Sequence, residues 1–242
     1  MSVFLTGNQK KIVYPAFGII LSVCVLWNLS MILYLFEQGK GQYQLLRKSV
    51  NIEEVLSDDL FPDSLRRKIY LIQEVKQFAT DSLGFKTTRN YSTYYDQQGK
   101  PVLWVVTACP EFELAEFKLK YPILGDLGYK GFFDKKKAEV EALRLSELGF
   151  DSDVDEVNAW STLGWFKDPI LSSMLTKSDA ELADLILHEL THTNIYIADD
   201  ADFNENLATF IAEYATKKFL KQKFGKNSQE CYNYQSSIQH TK

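Results

Sequence analysis

The chain is poor in the residues that most often mark a site. It has three cysteines and three histidines among 242 residues. No C-x-x-C pair occurs, which argues against a cysteine-built zinc site. A Cys109–Cys231 disulfide is conceivable in an exported domain. Two unpaired thiols are an equal alternative, because sequence gives no separation between the sulfurs. Dense Lys/Arg clusters are also lacking: 27 basic residues face 32 acidic ones, for a formal net charge of -5. Nucleic acid is therefore not an expected partner. Internal repeats and low-complexity segments are absent, and nothing reads as disordered apart from the stretch after Gly225.

What is present fits one folded domain with an appendage. A chain of this length can bury a sizeable core. Hydrophobic residues make up 45% and charged residues 24%, both ordinary values. The aromatic fraction of 14% is high and supplies core and groove material.

One long run carries no charge at all. Ile12 to Phe36 reads IVYPAFGIILSVCVLWNLSMILYLF. A helix needs about 20 apolar residues to cross a bilayer, and only Ser22, Asn28 and Ser30 interrupt this one. The expected organisation is a short tail over 1–11, a transmembrane anchor over 12–36 and a domain over 37–242. Tyr14, Trp27 and Tyr34 would sit near the interfaces. A cleaved signal peptide is one alternative, although its apolar stretch is usually about 7–15 residues and ends at a small-residue site. A lipoprotein signal ending at Cys24 is another, with Val23 standing where a small residue is expected.

Along the rest, residues 37–60 read as a helical neck. Residues 63–83 form an amphipathic helix capped by Asp63 or Ser64 and ended by Gly84. Residues 90–96 and 102–107 are rich in aromatic and β-branched types, and the turn between them suggests a β-hairpin. Residues 121–133 look like a glycine-rich loop, 135–149 an amphipathic helix, 153–160 a strand and 161–175 a turn with a short helix. Two stronger helices are expected at about 178–197 and 203–224.

The chemistry concentrates in those last two helices. His188-Glu189-Leu190-Thr191-His192 places two imidazoles one helical turn apart on one face. Such a pair can bind one zinc ion, and Glu189 is placed to take a proton from water at the metal. Leu185, Ile186, Leu187, Leu190 and Thr191 are uncharged, as a helix buried behind a metal site should be. Glu205, separated from His192 by twelve residues, is a suitable third ligand on the next helix. Two His and one Glu leave a fourth position for water. The bland readings are surface histidines, and a capping box in Asp202-Phe203-Asn204-Glu205. Asp199, Asp200 and Asp202 read as a solvated turn rather than a calcium loop. Thr209, one turn beyond Glu205, could hydrogen-bond its carboxylate. His240 lies in a polar tail.

These residues resemble the gluzincins, zinc peptidases with two His on one helix and a Glu on the next. Closer still is the bacterial "Putative aminopeptidase" family. The segments YLFEQGKGQYQLL, YPILGDLGYKGFFD, WSTLGWFKDPILSSML and HELTHTNIYIADDADFNENLATFIAEYAT look like that family's motifs, in the same order. The resemblance covers most of the chain after about Tyr34. It implies His188, His192 and Glu205 as metal positions and Glu189 as the base. An exported domain held at the cell membrane by a single pass is the localisation it favours. An aminopeptidase also needs an acidic group for the substrate amine, and no residue stands out for that task. The segment Trp160–Trp165 could pair with extended substrate, and Tyr129 could donate to the oxyanion; packing and turn formation are the alternatives for both.

The expected fold is thus α+β: a mainly helical, zincin-like metallopeptidase domain with a small sheet, behind one amino-terminal transmembrane helix. The expected activity is peptide-bond hydrolysis with one Zn2+, a peptide substrate and the membrane as partners. A non-catalytic zinc- or peptide-binding envelope protein is the first alternative, and a structural protein with a chance motif the second.

Overall fold

The computed structural model describes residues 26–113, 115–121, 125–157, 167–198 and 200–241. Its contacts divide the chain into a unit ending at Gln44 and a larger unit from Leu45 onward.

Most of α1 (Leu29–Lys48) belongs to the first unit. The transmembrane helix expected over 12–36 is not supported. Among the described residues no helix is long and apolar enough to cross a membrane. Within α1 the apolar residues run from Leu29 to Phe36 and give way to Glu37, Gln38 and Lys40, whereas a span needs about 20 apolar residues. Residues 12–25 of the expected anchor lie outside the described residues. The single-pass localisation inferred from that anchor falls with it.

In the larger unit, helices supply the core. After β1 (Val50–Asn51), the Asn51 side chain caps the short α2 (Ile52–Ser57) by accepting from the Glu53 N–H. The expected neck is therefore broken by a strand. α3 (Asp63–Leu83) buries Ile69, Ile72, Val75, Phe78 and Ala79, the residues whose spacing marked it as amphipathic. It begins at Asp63 behind Pro62 rather than being capped by Asp63 or Ser64. Gly84 ends it with φ 72°, a left-handed conformation that glycine adopts freely.

The expected hairpin does not form. β2 (Thr93–Tyr95) pairs antiparallel with β1 and parallel with β8 (Ile170–Leu171). β3 (Leu103–Pro110) belongs to a different sheet, between β6 (Tyr129–Phe132) and β7 (Phe150–Val157), antiparallel to both. The intervening turn is held elsewhere by the buried Gln97. Its side chain accepts from the Ser173 N–H at 2.9 Å and donates to the Lys100 carbonyl at 3.1 Å. That anchors the turn to the 3-10 helix Ser172–Thr176 instead of closing a ladder.

The expected glycine-rich loop contains β5 (Gly125–Leu127), which pairs with β4 (Leu119–Tyr121), and then β6. α4 (Lys135–Glu147) follows, capped by the Asp134 carboxylate, and packs on β3 and β7.

α5 (Asp179–Asn194), α6 (Ala201–Phe224) and α7 (Gln229–Thr241) complete the unit. α5 packs against α3, α6 and α7. α7 replaces the disorder expected after Gly225, because Tyr234 is buried in the core with Cys231 and Ile238 packed beside it. Cys109 and Cys231 are both free. The result is an α+β fold with seven helices and small sheets among the described residues.

Candidate functional site

The site is built on the α5–α6 pair. Ser178 opens α5 with a capping box: its hydroxyl accepts from the Glu181 N–H, and the Glu181 carboxylate accepts from the Ser178 N–H at 2.9 Å. Leu182, Ala183, Ile186, Leu187 and Leu190 then bury one face. Each large member contributes about 1.5–3 kcal/mol by leaving water. This burial fixes the helix and aims His188 and His192 towards α6.

α6 approaches closely because its facing residues are small. Ala208, Ala212 and Ala215 are all buried along it, at the spacing of one helical face. The helix begins beyond Asp200, whose carboxylate accepts from the Phe203 N–H at 3.1 Å. Asp200, not Asp202, is thus the cap, and Glu205 is free of the capping box considered from sequence. The connecting loop is clamped by the buried Asn204. Its amide accepts from the Ile197 N–H at 2.9 Å and donates to the Ile197 carbonyl at 2.7 Å. Immediately after that clamp comes Glu205.

These elements bring His188, His192 and Glu205 together. The two Nε2 atoms are 3.1 Å apart. Glu205 Oε2 lies 3.2 Å from His188 Nε2, and Oε1 lies 3.3 Å from His192 Nε2. One nitrogen or oxygen from each residue falls within a 4.8 Å cluster that could hold a metal ion. The donor set suits zinc, which takes imidazole nitrogen and carboxylate oxygen. His192 is buried, with 5% of its side chain exposed, whereas Glu205 is 65% exposed. Burial, with help from His188, pushes the His192 pKa down against the pull of Glu205. A neutral imidazole is the form that ligates a metal. Its Nδ1 is buried without a hydrogen-bond partner among the described residues.

Glu189 is half-buried on the same helix, and its charge reaches Tyr91. Tyr91 is buried and sits at φ 61°, a conformation uncommon for non-glycine residues. Its N–H donates to the Asp168 carbonyl at 2.7 Å, and its own carbonyl accepts from Gln73 at 3.1 Å. Burial raises the Tyr91 pKa well above its ordinary value, and the charges of Glu189 and Asp168 add to the rise. The phenol stays protonated.

Tyr129, at the start of β6, is also brought to the site. Burial raises its pKa, and the proximity of Glu205 and Tyr196 raises it further. Thr209 is exposed and makes no hydrogen bond to Glu205 among the described residues. The segment Trp160–Trp165 and Asp199 lie outside the described residues.

Sequence reasoning missed Tyr91, Tyr196, Asn204 and the carboxylate Asp184 with its partners Thr216 and Tyr234. Spacing could have flagged Asp184, which stands one turn before His188; the others carry no local signal.

No curated protein and no solved structure matches the chain. A family model, described as "Putative aminopeptidase", matches residues 33–242. With the match running through both helices of the site and nearly the whole described chain, the protein belongs to that family.

Proposed function

We propose that the chain is a gluzincin-like zinc aminopeptidase that hydrolyses a peptide bond at the His188–His192–Glu205 cluster. The observation that carries this reading is the convergence of those three side chains within 4.8 Å, with Glu189 next to the first of them on a buried helix. Family membership supports peptidase activity of the aminopeptidase kind.

His188, His192 and Glu205 would hold one zinc ion. Bound there, zinc supplies Lewis-acid polarisation of the scissile carbonyl and lowers the pKa of a water towards about 7. Glu189 takes the proton from the attacking water and passes it to the departing amine, so one carboxylate serves as base and then acid. Tyr129, kept protonated beside Glu205, donates a hydrogen bond to the oxygen on which charge develops. The first turn of α6 and the Asn204 clamp hold the loop before Glu205, and the exposure of Glu205 leaves room for substrate.

The test is hydrolysis of a panel of amino-acid anilides and short peptides by the zinc-loaded full chain and its Glu189→Gln variant. The variant should bind zinc like the parent and turn over about 10²–10⁴-fold more slowly, the usual worth of a positioned proton-transfer group. Zinc binding without hydrolysis in the parent would replace this reading by that of a metal- or peptide-binding protein. Equal turnover in both would remove Glu189 from the mechanism.

A further inference from the structure

A second polar cluster lies behind the first. Asp184 stands four residues before His188, so the two side chains share a face of α5 one turn apart. Its Oδ1 accepts from the Tyr234 hydroxyl of α7, and the Thr216 hydroxyl of α6 lies 3.5 Å from the same atom. Thr216 and Tyr234 are buried, and Asp184 is half-buried. Glu213, one turn before Thr216 on the same helix, adds a second negative charge nearby and is itself 3.8 Å from Lys217. Three helices therefore meet at one carboxylate.

The arrangement is more than an anchor for the last helix. Anchoring α7 needs only a hydrogen-bond acceptor, which a neutral amide would provide. A carboxylate there is expensive, since burying a charge without full compensation costs free energy, and burial does raise the Asp184 pKa. What offsets that burial is the two hydroxyl donors and the neighbouring His188. Carboxylates behind metal-bound imidazoles orient the ring and raise its basicity. One turn from His188 on the same face, Asp184 is close enough for the two groups to interact electrostatically.

We infer that Asp184, held by Tyr234 and Thr216, is a positioning residue for His188, so that the carboxyl-terminal helix α7 sets the metal affinity of the site. This rests on the proposed zinc site. Tyr234 and Thr216 hold the carboxylate, its charge acts on the imidazole one turn away, and the imidazole would hold the metal.

The test is the zinc dissociation constant of the full chain by chelator competition, for the parent, Asp184→Asn and Tyr234→Phe, with the metal-free melting temperature of each. Asparagine keeps the oxygen that Tyr234 and Thr216 use and removes only the charge. Asp184→Asn should bind zinc about 10–100-fold more weakly while its metal-free melting temperature stays close to the parent's. Tyr234→Phe, which keeps the ring and loses the hydroxyl, should weaken binding in the same direction by a smaller factor. Unchanged zinc affinity in a folded Asp184→Asn overturns the inference and leaves the zinc site standing. If Asp184→Asn fails to fold, Tyr234→Phe decides: several-fold weaker binding supports the inference and parental affinity overturns it. A parent that binds no zinc removes the site itself, and the inference with it.

Discussion

The two ends of the α5–α6 pair are built on opposite terms. At one end, the buried Thr216 and Tyr234 are joined to the half-buried Asp184 by hydroxyl-to-carboxylate contacts. At the other, His188, His192 and Glu205 crowd their donor atoms together, Glu205 stands open to solvent, and His192 Nδ1 is buried without a partner among the described residues. The same two helices run through both. Native interiors pair nearly all their buried polar groups, so an end that leaves one unpaired and gathers ligand-type atoms is arranged for something other than stability. The closed end holds the helices; the open end uses them.

That division predicts where substitutions act. The largest loss of stability should come from the shared apolar face. Leu187 is buried beside His188, and Leu187→Ala should cost about 2–5 kcal/mol by removing buried methyl groups and leaving a cavity. Urea unfolding of the metal-free chain would measure it, and a cost under about 0.5 kcal/mol would mean that the helix is not held by this core. A smaller effect is expected where the helices touch. Ala212 is fully buried, and Ala212→Leu should overfill its site at a cost of about 1–3 kcal/mol. Because it pushes α6 from α5, it should also weaken zinc binding, which chelator competition would reveal. Parental zinc affinity in this variant would show that the open end tolerates separation of the helices and would break the comparison.

The smallest effect belongs to the capping box. Ser178→Ala should cost about 1 kcal/mol. The box holds the Glu181 pKa below its ordinary 4.5 through the Ser178 side-chain and backbone hydrogen bonds. A carboxyl group with a lowered folded-state pKa contributes stability above its ordinary value, and that contribution is lost as pH falls through the lowered one. The difference between parent and Ser178→Ala should therefore shrink below about pH 4.5. A difference that stays constant from pH 7 to pH 3 would mean that the Glu181 charge plays no part.

Much of the open end could be read from sequence because helical geometry converts spacing into position. His188 and His192 had to share a face, and a helix following a short loop could return Glu205 to them. The amphipathic spacing of α3 and of α4 was legible for the same reason. Strand partners were not, since β2 and β3 have similar local composition, yet β2 pairs with β1 and β8 while β3 pairs with β6 and β7, and the buried Gln97 ties the turn between them to the Ser173 backbone. The closed end was illegible because Asp184, Thr216 and Tyr234 come from three helices, and nothing local to any of them announces the others. The expected transmembrane helix went too far: an uncharged run suggested a span, but no helix among the described residues is long and apolar enough to cross a membrane.

The most direct measurement is the zinc content of the purified full chain and of its Glu205→Ala variant by elemental mass spectrometry. The account predicts about one zinc per parent chain, as expected for a set of two His and one carboxylate, and much less in the variant. A folded parent without zinc, or a variant that retains it fully, would contradict the claim that the open end is a three-residue metal site.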